Sequence, residues 1–307
     1  MLKINKIKKL YRSIYINEIF NSIIITSPKI DEYTNIFYDF KSTSFFPKKM
    51  SLYLDKCNKI LKISYKYIHL HYIYYDVLNE SIYKILRTIK HIYVIKKLYN
   101  IEKNFNIYIL FSPYKRHIRK GYITPYNING GFTNTNNNDI FIIRREDYTK
   151  VIIHELMHHH KLLNMNNWDS NILNELKRSF NIADKTILLP NEAIIELFAV
   201  ILHTMFLSFE YNIDYYKLLD KEKEFAIIQY SKLLKKQNNN EWYESTNAYC
   251  YIVFKTILLC NIDIFLKYFT IPYDTKYIKD FLLKYKNTIK LKKVNDNSFK
   301  TIRFSEY

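Results

Sequence analysis

Apolar residues recur at intervals of three and four from Leu52 to Leu61 and from Ile82 to Leu98, the spacing of a buried helix face. Residues 1–103 therefore read as a mostly helical N-terminal region. The period changes at Phe105-Asn106-Ile107-Tyr108-Ile109-Leu110-Phe111, a strand closed by Ser112-Pro113. Asp139-Ile140-Phe141-Ile142-Ile143 reads as a second strand, after an Asn-rich turn at Asn134 to Asn138. From Asp147 to about Leu163 the helical period returns, with Glu146 and Asp147 suitably acidic for its N-terminal end. Further helices are expected near 170–180, 190–209, 213–236, 242–262 and 275–288, with a polar loop at Gln237 to Asn240. The longest apolar stretch, Ala193 to Phe209, contains Glu196 and His203 and falls short of a membrane span, so no transmembrane segment is expected. The pattern as a whole is α+β: a helical part at 1–103, a sheet and helix at 104–165, and a helical lobe at 166–307.

Composition narrows the chemistry. The only glycines, Gly121, Gly130 and Gly131, fall within eleven residues, and no G-x-G-x-x-G, G-x-x-x-x-G-K-[ST] or G-x-S-x-G occurs. Dinucleotide, P-loop and α/β-hydrolase sites thus lack their usual fingerprints. A chain that is 48% hydrophobic and 17% aromatic has ample material for a core, which excludes disorder. Cys57, Cys250 and Cys260 make an odd count without C-x-x-C, unlike a disulfide framework or a cysteine zinc knuckle. They suit a reducing compartment, and the basic start, Met1 to Lys9, lacks the apolar run of a signal peptide. An intracellular, cytoplasmic protein is expected.

The formal net charge is +18, from 47 Lys+Arg against 29 Asp+Glu. Lys, Asn, Ile, Tyr and Phe, the residues of A- and T-rich codons, are all abundant, so codon usage accounts for part of the excess. Charge of this sign also favours acidic partners and non-specific nucleic acid. The lysines are scattered as on solvated helix faces rather than gathered into a basic block.

One segment carries chemistry: Val151-Ile152-Ile153-His154-Glu155-Leu156-Met157-His158-His159-His160. His154 and His158 are four apart, so on a helix both imidazoles project from one face and can hold one metal ion. Glu155, beside the first ligand, can act as general base on a metal-activated water. Zinc needs a third protein ligand. The extended H-E-x-x-H-x-x-G-x-x-H pattern is excluded, because Lys161 and Asn164 stand where it needs Gly and His. His159 and His160 lie on other faces of the helix. Pro190-Asn191-Glu192-Ala193-Ile194-Ile195-Glu196 offers better candidates. Pro190 suits a helix start, Glu192 falls in the first turn, and Glu196 follows one turn later on the same face. Carboxylates in an apolar run are costly to bury unless paired or metal-bound. They suggest a ligand, Glu192, and a partner for a ligating histidine, Glu196.

With His154-Glu155-x-x-His158 and Asn191-Glu192-x-x-x-Glu196, the chain resembles the gluzincin group of zinc metallopeptidases, whose familiar member is thermolysin. The resemblance spans 154–196. It implies a zincin-like catalytic domain with a small sheet and an active-site helix, flanked by helical regions. It also implies one Zn2+ per chain on His154, His158 and Glu192, with Glu155 as base and Glu196 orienting a histidine. Zincin sheets present an edge to an extended peptide substrate. Gly130-Gly131-Phe132-Thr133 is either that edge, with the missing side chains admitting another backbone, or a tight turn between strands. A Tyr, His or Arg is expected to stabilise the oxyanion, and Tyr249, in the polar-aromatic stretch Trp242 to Tyr249, is the candidate. His203, seven residues after Glu196 on the same stripe, is either a further partner behind the ligands or a hydrogen-bonded core histidine. The composition also resembles that of products of large DNA viruses and other AT-rich genomes, which leaves virion association open.

The expectation is therefore a zinc-dependent metallopeptidase acting on peptide or protein substrates, acidic ones by charge. A basic nucleic-acid-associated or virion-structural protein with a structural or vestigial zinc site is the alternative. A zinc hydrolase acting on a non-peptide bond shares the metal but not the substrate edge. His69 and His71 share a face only on a strand, and their surroundings read as helical, so no role is assigned to them.

Overall fold

The computed structural model describes residues 4–117, 122–134, 137–163, 167–238, 240–294, 303 and 305–307. Gly121 and parts of the Asn-rich turns lie outside the described residues. The chain opens with helices α1 (Ile4–Arg12) and α2 (Ile16–Ser22), a short strand β1 (Ile24–Thr26), and helices α3 (Thr34–Ser42) and α4 (Lys48–Leu54). Strands β2 (Lys59–Tyr65) and β3 (Ile68–Tyr74) follow, then α5 (Ile82–Leu98), β4 (Phe105–Leu110) and the single turn α6 (Pro125–Ile128). Next come β5 (Gly131–Asn134), β6 (Asp139–Ile142), α7 (Tyr148–His159) and α8 (Ser170–Ser179). The C-terminal part holds α9 (Asn191–Tyr211), α10 (Tyr215–Gln237), a π-helical turn at Cys250–Phe254, α11 (Lys255–Cys260), α12 (Ile262–Tyr268) and α13 (Thr275–Tyr285). The α+β class is as the pattern predicts.

The six strands form one sheet in the order β1-β2-β3-β4-β6-β5, with β3, β4 and β6 parallel and the others antiparallel to their neighbours. The N-terminal region carries the expected helices but also three strands: β1, β2 and β3 join the same sheet as β4 to β6, with β2 and β3 as a hairpin. The helical spacing read through Leu61 ends at Leu54, and Lys59 begins a strand. The hairpin packs on both faces. Ile63, Tyr65, Ile68, Leu70 and Tyr72 face the main core, while Ile60 and Ile73 join a second core with Phe40, Phe46, Met50 and Leu54. In β3 the period of two is kept, with Ile68, Leu70 and Tyr72 on the main core and His69 and His71 on the other face. His69 and His71 consequently do share a strand face. His71 is held by Tyr33 Oη at 2.6 Å and Asn106 Oδ1 at 3.3 Å, and His69 by Ser64 Oγ at 2.9 Å, which gives both a place in the sheet's polar packing.

Helix α7 packs between the β5/β6 end of the sheet and α9. Asp147 precedes it in the left-handed region, φ 48°, and makes no capping bond to the helix. Its carboxylate instead takes Arg116 Nη1 at 2.6 Å, an ion pair buried on both sides. Arg144, also buried, donates to the carbonyls of Asn129, Tyr126 and Tyr114. These two guanidiniums fix the segment before β5 against the start of α7. Helix α9 is longer than the apolar stretch suggests. It is the one helix among the described residues long and apolar enough to cross a membrane, and it is buried within the fold.

Candidate metal centre and cavity

Two helical stripes face each other. Lys150, His154 and His158 recur every four residues on α7, and Glu192 and Glu196 recur likewise on α9. Pro190 precedes the first turn of α9, and Asn191 Oδ1 accepts from the Trp168 indole and the Tyr273 hydroxyl, which anchors the turn carrying Glu192. His158 Nε2 lies 3.1 Å from His154 Nε2 and 3.2 Å from Glu192 Oε2, and His154 Nε2 lies 3.4 Å from that oxygen. Bonds of 2.0–2.1 Å at tetrahedral angles separate neighbouring donors by about 3.3 Å. The three atoms therefore stand at the spacing of three corners of a tetrahedral site. Two imidazoles and a carboxylate are a donor set suited to zinc.

The surroundings suit a cation as well. Glu196 Oε2 accepts from His154 Nδ1 at 2.8 Å, a bond that turns Nε2 toward His158 and Glu192. Burial disfavours a charged His154 ring, but Glu192 and Glu196 outweigh it and raise its pKa to about 10. Burial likewise opposes ionisation of both glutamates, yet His158 and His154 beside Glu192, and Lys150 and His154 beside Glu196, hold each carboxyl well below its ordinary range. A site that favours positive charge on a ring nitrogen favours a metal ion in its place.

Glu155 is on the next face of α7, and Thr133 of β5 donates to its Oε2 at 2.9 Å. A cavity of about 830 Å3 opens over the group. His154, Glu155, His158 and Glu192 face it from one side, Gly131, Phe132 and Thr133 from a second, and Ser245, Thr246, Asn247 and Tyr251 from a third.

Three expectations about site residues need correction, and one about a helix. Tyr249 does not reach the site: its hydroxyl is buried and donates to the carbonyl of Phe180 and to Gln237 Oε1, both at 3.3 Å. Tyr251 occupies the position instead, its hydroxyl 3.0 Å from Glu192 Oε2 and its ring 5.7 Å from that of His154. Burial and the charges of Glu192 and Glu155 keep that hydroxyl protonated, well above its ordinary pKa. The continuous helix expected over 242–262 is absent: Trp242 and Glu244 make isolated β-bridges, and π-helical geometry begins at Cys250. Glu244 takes the N–H groups of Ala248 and Tyr249 at 2.9 Å and so starts the helical segment late.

His203 is the second correction. It does not touch the ligand group; its ring meets His91 edge to face at 6.1 Å, and burial lowers its pKa to about 3. The third concerns the glycines. Gly131 begins the edge strand β5, so a strand rather than a bare turn is present. Its missing side chain, however, accommodates the protein itself: a Cβ there would stand 2.7 Å from the carbonyl oxygen of Phe141 and 3.2 Å from Glu155 Cγ. A Cβ at Gly130 would stand 2.1 Å from Arg116 Nη2. Both glycines admit neighbouring protein atoms. Phe132, predicted beside them, faces the cavity while stacking on Phe141 at 4.8 Å.

Lys150 and Tyr251 were not singled out from sequence. A signal for Lys150 exists in the sequence, a lysine one turn before His154 on the stripe that also carries His158. No protein-family model, curated protein or solved structure matches this chain.

Proposed function

We propose that the chain is a zinc-dependent metallopeptidase of gluzincin type, with His154, His158 and Glu192 as zinc ligands. The observation that carries this reading is the tetrahedral spacing of the three donor atoms on the wall of an open cavity. A structural zinc site closes its coordination with protein side chains, whereas among the described residues only these three group together.

A bound zinc ion supplies Lewis acidity toward water and the scissile carbonyl. Glu155 takes the proton of the attacking water and delivers it to the leaving amine. The Tyr251 hydroxyl donates to the oxyanion as charge develops. The outer edge of β5, where no further strand pairs among the described residues, receives the extended substrate backbone. Substrates are peptides or proteins, with acidic sequences favoured by the charge of +18. The site of action is intracellular.

The test is the zinc content of the purified protein together with cleavage of a peptide library. One zinc per chain, with cleavage lost on chelation and restored by zinc, is expected. Zinc uptake without cleavage, with strongly salt-dependent retention on DNA, would support the nucleic-acid-associated alternative. No zinc uptake removes the metal centre altogether.

A further inference from the structure

Behind the three ligand atoms lies a buried cation that the proposed chemistry does not use. Lys150 precedes His154 by one turn of α7, and its side chain is 1% exposed. Its Nζ lies 2.6 Å from Glu196 Oε1, while Oε2 of the same carboxylate lies 2.8 Å from His154 Nδ1. Each oxygen of Glu196 therefore has its own partner, one a lysine and one an imidazole, both from one helix stripe. Burying a lysine and a glutamate together costs more desolvation than an apolar pair would, so stability alone is a weak reason for the pair.

We propose that Lys150 is a positioning residue of the metal centre. By holding Oε1 it fixes the carboxylate plane so that Oε2 meets the Nδ1 hydrogen of His154, and Nε2 of that ring is thereby presented to His158 and Glu192. This inference rests on the zinc reading of the site and adds a residue to it. The direction of the effect separates positioning from plain electrostatics. A lysine acting through charge alone repels a divalent cation, and its removal tightens metal binding. A lysine that aims Glu196 does the opposite, because its removal leaves a buried carboxylate without a fixed orientation.

The experiment is zinc affinity, measured on the full chain by competition with a chromophoric chelator. Wild type, Lys150→Met, Glu196→Gln and the double variant are compared, with urea unfolding of each metal-free protein alongside. Lys150→Met is expected to weaken zinc binding by about ten- to a hundredfold, the range found when outer partners of metal ligands are removed. In the Glu196→Gln background the same change is expected to add less than about twofold, because the lysine acts through that carboxylate. Should Lys150→Met not fold, Lys150→Gln keeps a donor of similar reach and is expected to weaken binding to a smaller degree. Unchanged or tighter zinc binding in a folded Lys150 variant overturns the positioning role and leaves the metal reading standing. A wild-type chain that binds no zinc overturns both.

Discussion

Thr133 Oγ1 donates to Glu155 Oε2 at 2.9 Å, so the edge strand holds the carboxylate of the neighbouring helix. The bond links the surface that would receive a peptide backbone to the group that would move the proton. Thr133→Val keeps the shape and removes the donor. It is expected to lower kcat about tenfold, equivalent to about 1.4 kcal/mol, close to the lower end of the range for a hydrogen bond to a charged group. Zinc affinity should be unchanged. A loss of zinc affinity equal to the loss of kcat would show that Thr133 supports the fold of the site rather than Glu155.

Glu155→Gln is expected to leave one zinc bound and to lower kcat by about 10²- to 10⁴-fold, the usual contribution of a positioned general base. The relevant comparison is metal content against turnover in the same preparation. Turnover at the wild-type rate would reject Glu155 as the base.

Tyr249, just before the π-helical segment, and Tyr251 within it separate cleanly. Tyr251→Phe removes the hydroxyl that meets Glu192 and is expected to cost about a hundredfold in kcat with little change in KM. Tyr249→Phe removes a hydroxyl bonded to Phe180 and Gln237, and is expected to cost about 1 kcal/mol of stability while kcat holds. Steady-state kinetics and urea unfolding on both variants check the assignment; a reversal of the two effects would restore Tyr249 to the site.

Glu244 makes stability depend on pH. Burial raises its pKa from 4.5 to about 8, against the lowering effect of the Tyr249 and Ala248 N–H bonds. Between those values the unfolded chain has lost this proton and the folded chain retains it. This group's contribution to stability is therefore full below about pH 4.5, declines through the window and is gone above about 8. Relative to Glu244→Gln, wild-type stability is expected to fall by about 1.4 kcal/mol per pH unit across the window. Parallel urea midpoints for the two proteins from pH 5 to 8 would contradict it.

Gly130→Ala is expected to destabilise the protein by about 1–3 kcal/mol, as overpacking does. The new methyl would meet Arg116, whose guanidinium is fixed by the Ile128 carbonyl, Glu146 and Asp147 and cannot withdraw. Denaturant midpoints measure this directly; a neutral or stabilising change would mean that Arg116 has room to move.

The grouping of His154, His158 and Glu192 was legible because it depends on local geometry. Two residues four apart on a helix must share a face, and a glutamate in an apolar run demands a partner. The strands at 105–110 and 139–142 were legible because turn residues bound them. The hairpin over 59–74 was not, although Ile68-His69-Leu70-His71-Tyr72 alternates, because the helical spacing from Leu52 to Leu61 runs into the start of β2. Tyr251 was hidden by a change of helix type: with π geometry at Cys250–Phe254, a register counted at 3.6 residues per turn does not say which tyrosine faces Glu192. The role of Gly131 was misjudged because a glycine announces a close approach without naming what approaches. Here that is the β6 backbone.

Helix α9 has a consequence beyond the site. Its 21 residues meet the length and composition of a bilayer-crossing segment, and only the surrounding elements hide that character. Without α10 and the π-helical segment packed against it, the same residues would be exposed apolar surface. Glu192, Glu196 and His203, interspersed along it, are costly to place in hydrocarbon. The carboxylates of the candidate metal centre thus also make the most apolar helix of the fold a poor segment to leave in a bilayer.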